Sequence, residues 1–80
     1  MTEPDQRTFA VVLEPEADGG FTVRVPVFPE IVTYGKDERE ALEMAEDAIR
    51  LVIEDAAARG EQIPGSEPPR IRQVTVTLAA

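Results

Sequence analysis

Apolar residues recur in two periods along this chain, and the change from one to the other marks out its elements. From Arg7 to Glu14, Phe9, Val11 and Leu13 alternate with Ala10, Val12 and Glu14. A period of two with β-branched residues predicts a strand. Its second face is also fairly apolar, which predicts a central strand covered at least partly on both sides. Asp18-Gly19-Gly20 then separates it from a second alternating run. Glycine reaches positive φ without a Cβ penalty, so this is a hairpin signal. In the second strand Phe21, Val23 and Val25 share one face, with Thr22 and Arg24 on the other. Pro26 and Pro29 bracket Val27-Phe28 and end it, because proline donates no ladder hydrogen bond. A short third strand, Ile31 to Tyr34, is closed by Gly35.

The period then lengthens. Leu42, Ala45, Ile49, Val52, Ile53 and Ala56 recur at spacings of three and four, the stripe of an amphipathic helix. Asp37 stands three residues before Glu40, a capping-box spacing, and acids crowd the first turn, where the helix dipole favours them. Arg59 and Gly60 supply a basic end and a C-cap. A helix from Glu38 to Arg59 is ~33 Å long at about 1.5 Å per residue. Residues 60–70, GEQIPGSEPPR, form a loop with Ile63 as an apolar anchor. From Ile71 to Leu78 the period of two returns, with Val74, Val76 and Leu78 on one face and Gln73, Thr75 and Thr77 on the other.

The pattern therefore predicts an α+β domain of order β-β-β-α-β. We expect a four-stranded mixed sheet in order 3-2-1-4 with one helix on a face. The third strand, helix and fourth strand form a right-handed crossover between parallel strands. Residues 1–6 read as a flexible N-terminal tail and 7–80 as a single domain. The chain ends at Ala80 directly behind the last strand, so no C-terminal DNA-binding appendage is expected.

Composition narrows the chemistry. The chain has 80 residues with no cysteine and no histidine. This excludes disulfides, zinc sites of the usual ligand types, thiol nucleophiles and Ser-His-Asp triads. Sixteen acids against eight bases give a net charge of −8, so direct nucleic-acid binding is disfavoured. The charge excess alone reads first as plain solubility, and it would also speed encounter with a basic partner. An acidic N-terminus and the lack of a long apolar run point to a soluble, cytoplasmic chain.

Carboxylates are the remaining catalytic material. A two-metal nuclease needs acids at mid-strand beside an acid on the helix. Ala10, Val11 and Val12 occupy the centre of the first strand, and Val74, Thr75 and Val76 that of the last. No enzyme activity, metal or cofactor is expected. Gly19-Gly20 lacks the lysine and the strand-to-helix context of a phosphate loop. The Pro26–Pro29 segment reads as a rigid bend, and Tyr34 as half-buried packing. Met44 and Leu51, seven residues apart, fall off the core stripe beside Glu40, Asp47 and Glu54. They are either stray exposed residues or a narrow apolar contact strip flanked by acids.

Several of these residues together resemble the HicB antitoxin family. They are the hairpin from Asp18 to Pro26, then Phe28-Pro29, Thr33, Gly35, Glu40-Ala41-Leu42, Ala48-Ile49 and Glu61-Gln62-Ile63-Pro64. The likeness covers roughly residues 8–78. The chain departs from the family pattern where Glu30-Ile31 replaces Gly-Cys and where Lys36-Asp37 replaces an x-Thr step. The resemblance implies a partly degraded ribonuclease-H-like fold. It also implies neutralisation of a HicA-like toxin, a small basic ribonuclease that cuts mRNA. The expected partner surface is Glu40, Met44, Asp47, Leu51 and Glu54, with the hairpin and the Pro26–Pro29 bend as the alternative. A homodimer or homotetramer is expected, through sheet edges or the Met44/Leu51 strip. The competing reading is an orphan oligomeric interaction domain without a toxin.

Overall fold

The computed structural model describes residues 6–64 and 67–79, so the predicted tail is covered only at Gln6. Three strands precede one helix: β1 (Val12–Pro15), β2 (Phe21–Arg24), β3 (Val32–Gly35) and α1 (Glu38–Ala58). The sheet is antiparallel throughout, in order β1-β2-β3. Leu13 pairs with Val23, and Val23 with Thr33, so these three side chains share a face. The β1–β2 turn holds Gly19 at φ 91°, the left-handed conformation that its sequence signal anticipates.

The four-stranded mixed sheet in order 3-2-1-4 is not formed. The segment expected as the fourth strand pairs with no strand among the described residues. Ile71, Val74, Val76 and Leu78 are 85, 85, 70 and 84% exposed. Alternation specifies that a segment be extended and two-faced, but it does not specify which edge receives it. Pro64, Pro68 and Pro69 in the preceding connection also fix φ and favour an extended path away from the body. Two expectations fall with it. Among the described residues there is no parallel crossover, and β1 is an edge strand rather than a central one. On the second face of the Arg7–Glu14 run Ala10 and Val12 are half-buried and Glu14 is exposed.

The core lies between one face of the sheet and α1. Val23, Ala41 and Ala45 form its centre, with Val11, Leu13 and Phe21 packed around them. A second cluster, Val25, Phe28 and Ile31, meets Phe9, Ala48, Ile49, Val52 and Ile53. The Pro26–Pro29 bend belongs to this second cluster. Phe28 N donates to Val25 O at 3.0 Å and Ile31 N to Phe28 O at 2.9 Å, two successive turns that aim Phe28 inward. Its ring stacks at a tilt on Phe9, centroids 5.6 Å apart.

The buried line of the helix runs through Ala41 and Ala45, one residue away from the predicted stripe at Leu42. Leu42 is 47% exposed. The shift has a steric cause. Gly35 lies so close to α1 that a Cβ there would stand 2.2 Å from Ala41 N. Only small residues fit at that crossing. α1 therefore packs on β3 and β2, and its flank carrying Leu42, Ile49 and Ile53 overhangs the β1 side. Beneath that flank lies a groove of about 780 Å³, walled by Phe9, Val11, Leu42, Ile49, Ile53 and Ile63. Among the described residues no helix is long and apolar enough to cross a membrane.

Candidate partner-binding surface

All five residues expected at the partner surface lie on α1. The helix starts because Asp37 caps it: Asp37 Oδ1 accepts from Glu40 N at 2.8 Å. Glu40 Oε1 in turn accepts from Lys36 N at 3.1 Å, and the Lys36 ammonium stands 4.0 Å from the same carboxylate. Glu40 is half-buried, so its first task is to hold the helix start.

Met44 and Leu51 are 41 and 66% exposed. At about 100° per residue they sit about 90° round the helix from the Ala41–Ala45 line. The groove flank of Leu42, Ile49 and Ile53 lies about 80° away in the opposite sense. The two apolar surfaces of the helix are therefore separate. Asp47, beside Leu51, accepts from Arg50 at 3.4 Å, and Arg50 also reaches Glu46 at 2.5 Å. Arg39 pairs with Glu43 at 2.8 Å. Such exposed pairs are worth roughly 0–1 kcal/mol each and leave their carboxylates accessible. Glu54 has no ion-pair partner among the described residues, and it also borders the groove. The helix carries seven acidic and two basic side chains, so the Met44/Leu51 strip sits in a negative field. The structure thus brings Met44, Asp47 and Leu51 together, ties Glu40 into the cap and shares Glu54 with the opposite flank.

The other end of the sheet holds a polar cluster that sequence reasoning did not assemble. Tyr34 Oη donates to Asp18 Oδ2 at 2.7 Å, and Gly20 N donates to Asp18 Oδ1 at 2.8 Å. These bonds hold the Asp18 carboxyl below its ordinary pKa, the tyrosine bond being the larger cause. The same contact raises the Tyr34 phenol. Tyr34 is 42% exposed, so it ties β3 to the hairpin turn rather than packing half-buried. Asp18 preceding Gly-Gly was a visible turn signal, but its link to Tyr34, sixteen positions on, depends on the β2–β3 register. On the same outer face Arg24 donates to Glu14 at 2.7 Å. Glu14, the acid inside β1, is thereby held away from the helix carboxylates. At the far end of α1, Arg59 bonds Glu61 and Asp55, which raises the guanidinium pKa further. Among the described residues no group of three or more acidic side chains is placed to share a metal ion.

A family model described as HicB-like antitoxin of bacterial toxin–antitoxin systems matches residues 9–77. Antitoxin HicB 1 of Photorhabdus laumondii subsp. laumondii is 39% identical over 71 residues, 89% of this chain and 46% of that protein. The chain thus spans about half the length of that relative. A UPF0150 protein of Thermoplasma acidophilum is 38% identical over 56 residues, 70% of this chain and 81% of its own length. No solved structure matches the chain.

Proposed function

The chain belongs to the HicB-like antitoxin family of bacterial toxin–antitoxin systems, and from that premise we propose that it binds and neutralises a small basic HicA-type mRNA ribonuclease without catalysing a reaction itself. The encounter takes place in the cytoplasm, where the mRNA is. The observation that carries the reading is the α1 flank on which Met44 and Leu51 stand exposed among carboxylates. A ribonuclease surface that holds RNA must be cationic to replace the counterions of the phosphates. An acidic helix face matches it in charge and raises the association rate. Two exposed apolar side chains at its centre supply the desolvated contact on which affinity more often depends.

Charge and apolar area act on different rates, and that separates them in experiment. Glu40, Asp47 and Glu54 reversed to lysine slow association and flatten its salt dependence. Because Glu40 also serves the helix cap, Asp47→Lys with Glu54→Lys is the cleaner pair. Met44→Asp with Leu51→Asp chiefly speeds dissociation. Binding kinetics unchanged in both sets, with circular dichroism unaltered, would move the contact to the hairpin and the Pro26–Pro29 bend. Failure of the unaltered chain to bind the toxin would refute the reading itself.

A further inference from the structure

We propose that the open edge of β3 accepts an extended, basic segment of a partner protein as an added strand, lying along the α1 flank that carries Met44 and Leu51. For the partner's identity this rests on the antitoxin reading, which it deepens. β3 is the last strand of the sheet, and among the described residues no strand lies beyond it. The pairing register tells which of its backbone groups are unused. Glu16 N donates to Gly20 O at 2.8 Å at the hairpin end. Antiparallel pairs alternate between bonded and non-bonded, so Glu14–Thr22 and Val12–Arg24 are bonded pairs between β1 and β2. Phe21 and Val23 therefore turn their backbone groups to β3, where they meet Gly35 and Thr33. The N–H and C=O of Val32 and Tyr34 are left pointing outward.

This edge lacks the usual defences. Natural edges carry lysine, proline or a bulge that discourages pairing. Here Pro29 precedes the strand and Lys36 follows it, and Lys36 is engaged with Glu40. Val32, Thr33 and Tyr34 between them are uncharged. Val32 and Tyr34 are 55 and 42% exposed. Thr33 is on the core face yet only half-buried, so α1 does not close over the edge. The opening is continuous with the proposed partner surface. The groove flank of α1 overhangs β1, so Met44 and Leu51, on the other side of the Ala41–Ala45 line, overhang β3. Gly35 approaches Ala41, and the cluster containing Ile31 meets Ala48 and Val52. α1 thus runs back along β3, and the Met44/Leu51 strip follows the strand.

These features define the occupant. Strand alternation places side chains opposite Val32 and Tyr34 on the outer face, and the one opposite Thr33 beneath the α1 flank. Apolar residues suit the outer positions, as cross-strand partners of Val32 and Tyr34. A long basic side chain suits the inner one: its stem covers Met44 and its charge reaches towards Glu40 and Asp47. Glu30, just before the strand, adds to the same field. A second copy fits less well, because it would bring together the Glu40, Asp47 and Glu54 faces of two chains, each of charge −8. Main-chain bonds to the edge then give affinity, and the alternating side chains give specificity.

The test follows amide exchange of the full ¹⁵N-enriched chain by NMR. The probes are a short peptide alternating valine with arginine, the same peptide with glutamate in place of arginine, and a HicA-type ribonuclease. In the chain alone, the amides of Val32 and Tyr34 should exchange faster than those of Thr33 and Gly35. The basic peptide and the ribonuclease should each slow Val32 and Tyr34 roughly tenfold or more, and the acidic peptide should not. Val32→Pro removes an outward N–H and no bond to β2, so it should weaken both ligands roughly tenfold with circular dichroism unchanged. Should that variant unfold, exchange in the natural sequence still decides. A basic peptide that leaves both amides exchanging as in the free chain would overturn the proposal. So would slowed exchange in the chain alone that grows with its own concentration, which would assign the edge to a second copy. A ribonuclease that binds without slowing these amides would overturn the proposal and leave the antitoxin reading standing. Protection by the peptide without any complex with the ribonuclease would support the added-strand site and refute the antitoxin reading.

Discussion

Asp18 accepts two hydrogen bonds at the mouth of the β1–β2 turn, from Tyr34 Oη and from Gly20 N. Both favour its ionised form, so its folded-state pKa lies below the unfolded value. The sign of the linkage follows. The contribution of Asp18 is present above the ordinary carboxylate range and is lost as pH falls through the lowered folded value. The Tyr34 pKa is raised, so its part is present at neutral pH and lost as pH rises through that raised value. Tyr34→Phe should move the Asp18 titration midpoint upward, readable by carboxyl ¹³C NMR; an unmoved midpoint would show that the bond does not form in solution. A second residue-scale prediction concerns Gly35. Its missing Cβ is what lets Ala41 approach, so Gly35→Ala should destabilise the fold by about 1–3 kcal/mol in urea titration.

At the scale of elements, α1 is the best-specified part of the chain. Its cap was legible because Asp37 and Glu40 satisfy orphan backbone donors locally, within four residues, and the structure shows both bonds. Asp37→Ala should cost about 1 kcal/mol, measured as a fall in denaturation midpoint without a change in slope. The core-facing line was legible only to within one residue. Leu42 fits the apolar period as well as Ala41 does, and only the steric demand at Gly35 selects the alanine. The Pro26–Pro29 bend was readable as a break but not as a core element. Phe28 is 6% exposed, and Phe28→Ala should cost about 3–5 kcal/mol. The strand pattern at residues 71–78 was real as pattern, yet pairing is a long-range event that local alternation does not encode. The same limit hid the Asp18–Tyr34 contact. Of the residues proposed for the partner surface, Met44 and Leu51 stand exposed off the core line, whereas the capping role of Glu40 sets it apart from them.

At the scale of the whole molecule, a charge of −8 is distributed so that the apolar surfaces keep different neighbours. One flank of α1 sets Met44 and Leu51 among acids and is suited to a cationic protein. The other overhangs the groove walled by Phe9, Val11, Leu42, Ile49, Ile53 and Ile63. Consistent with a binding role, the pure chain should cleave no RNA with or without magnesium or manganese; cleavage abolished by a Glu→Gln change on α1 would contradict it. The antitoxin account is tested most directly by titrating the chain into RNA cleavage by a HicA-type ribonuclease. The account predicts that cleavage falls to nothing at a fixed molar ratio and that rising salt slows the onset of inhibition. Cleavage that continues undiminished with the folded chain in excess would contradict it.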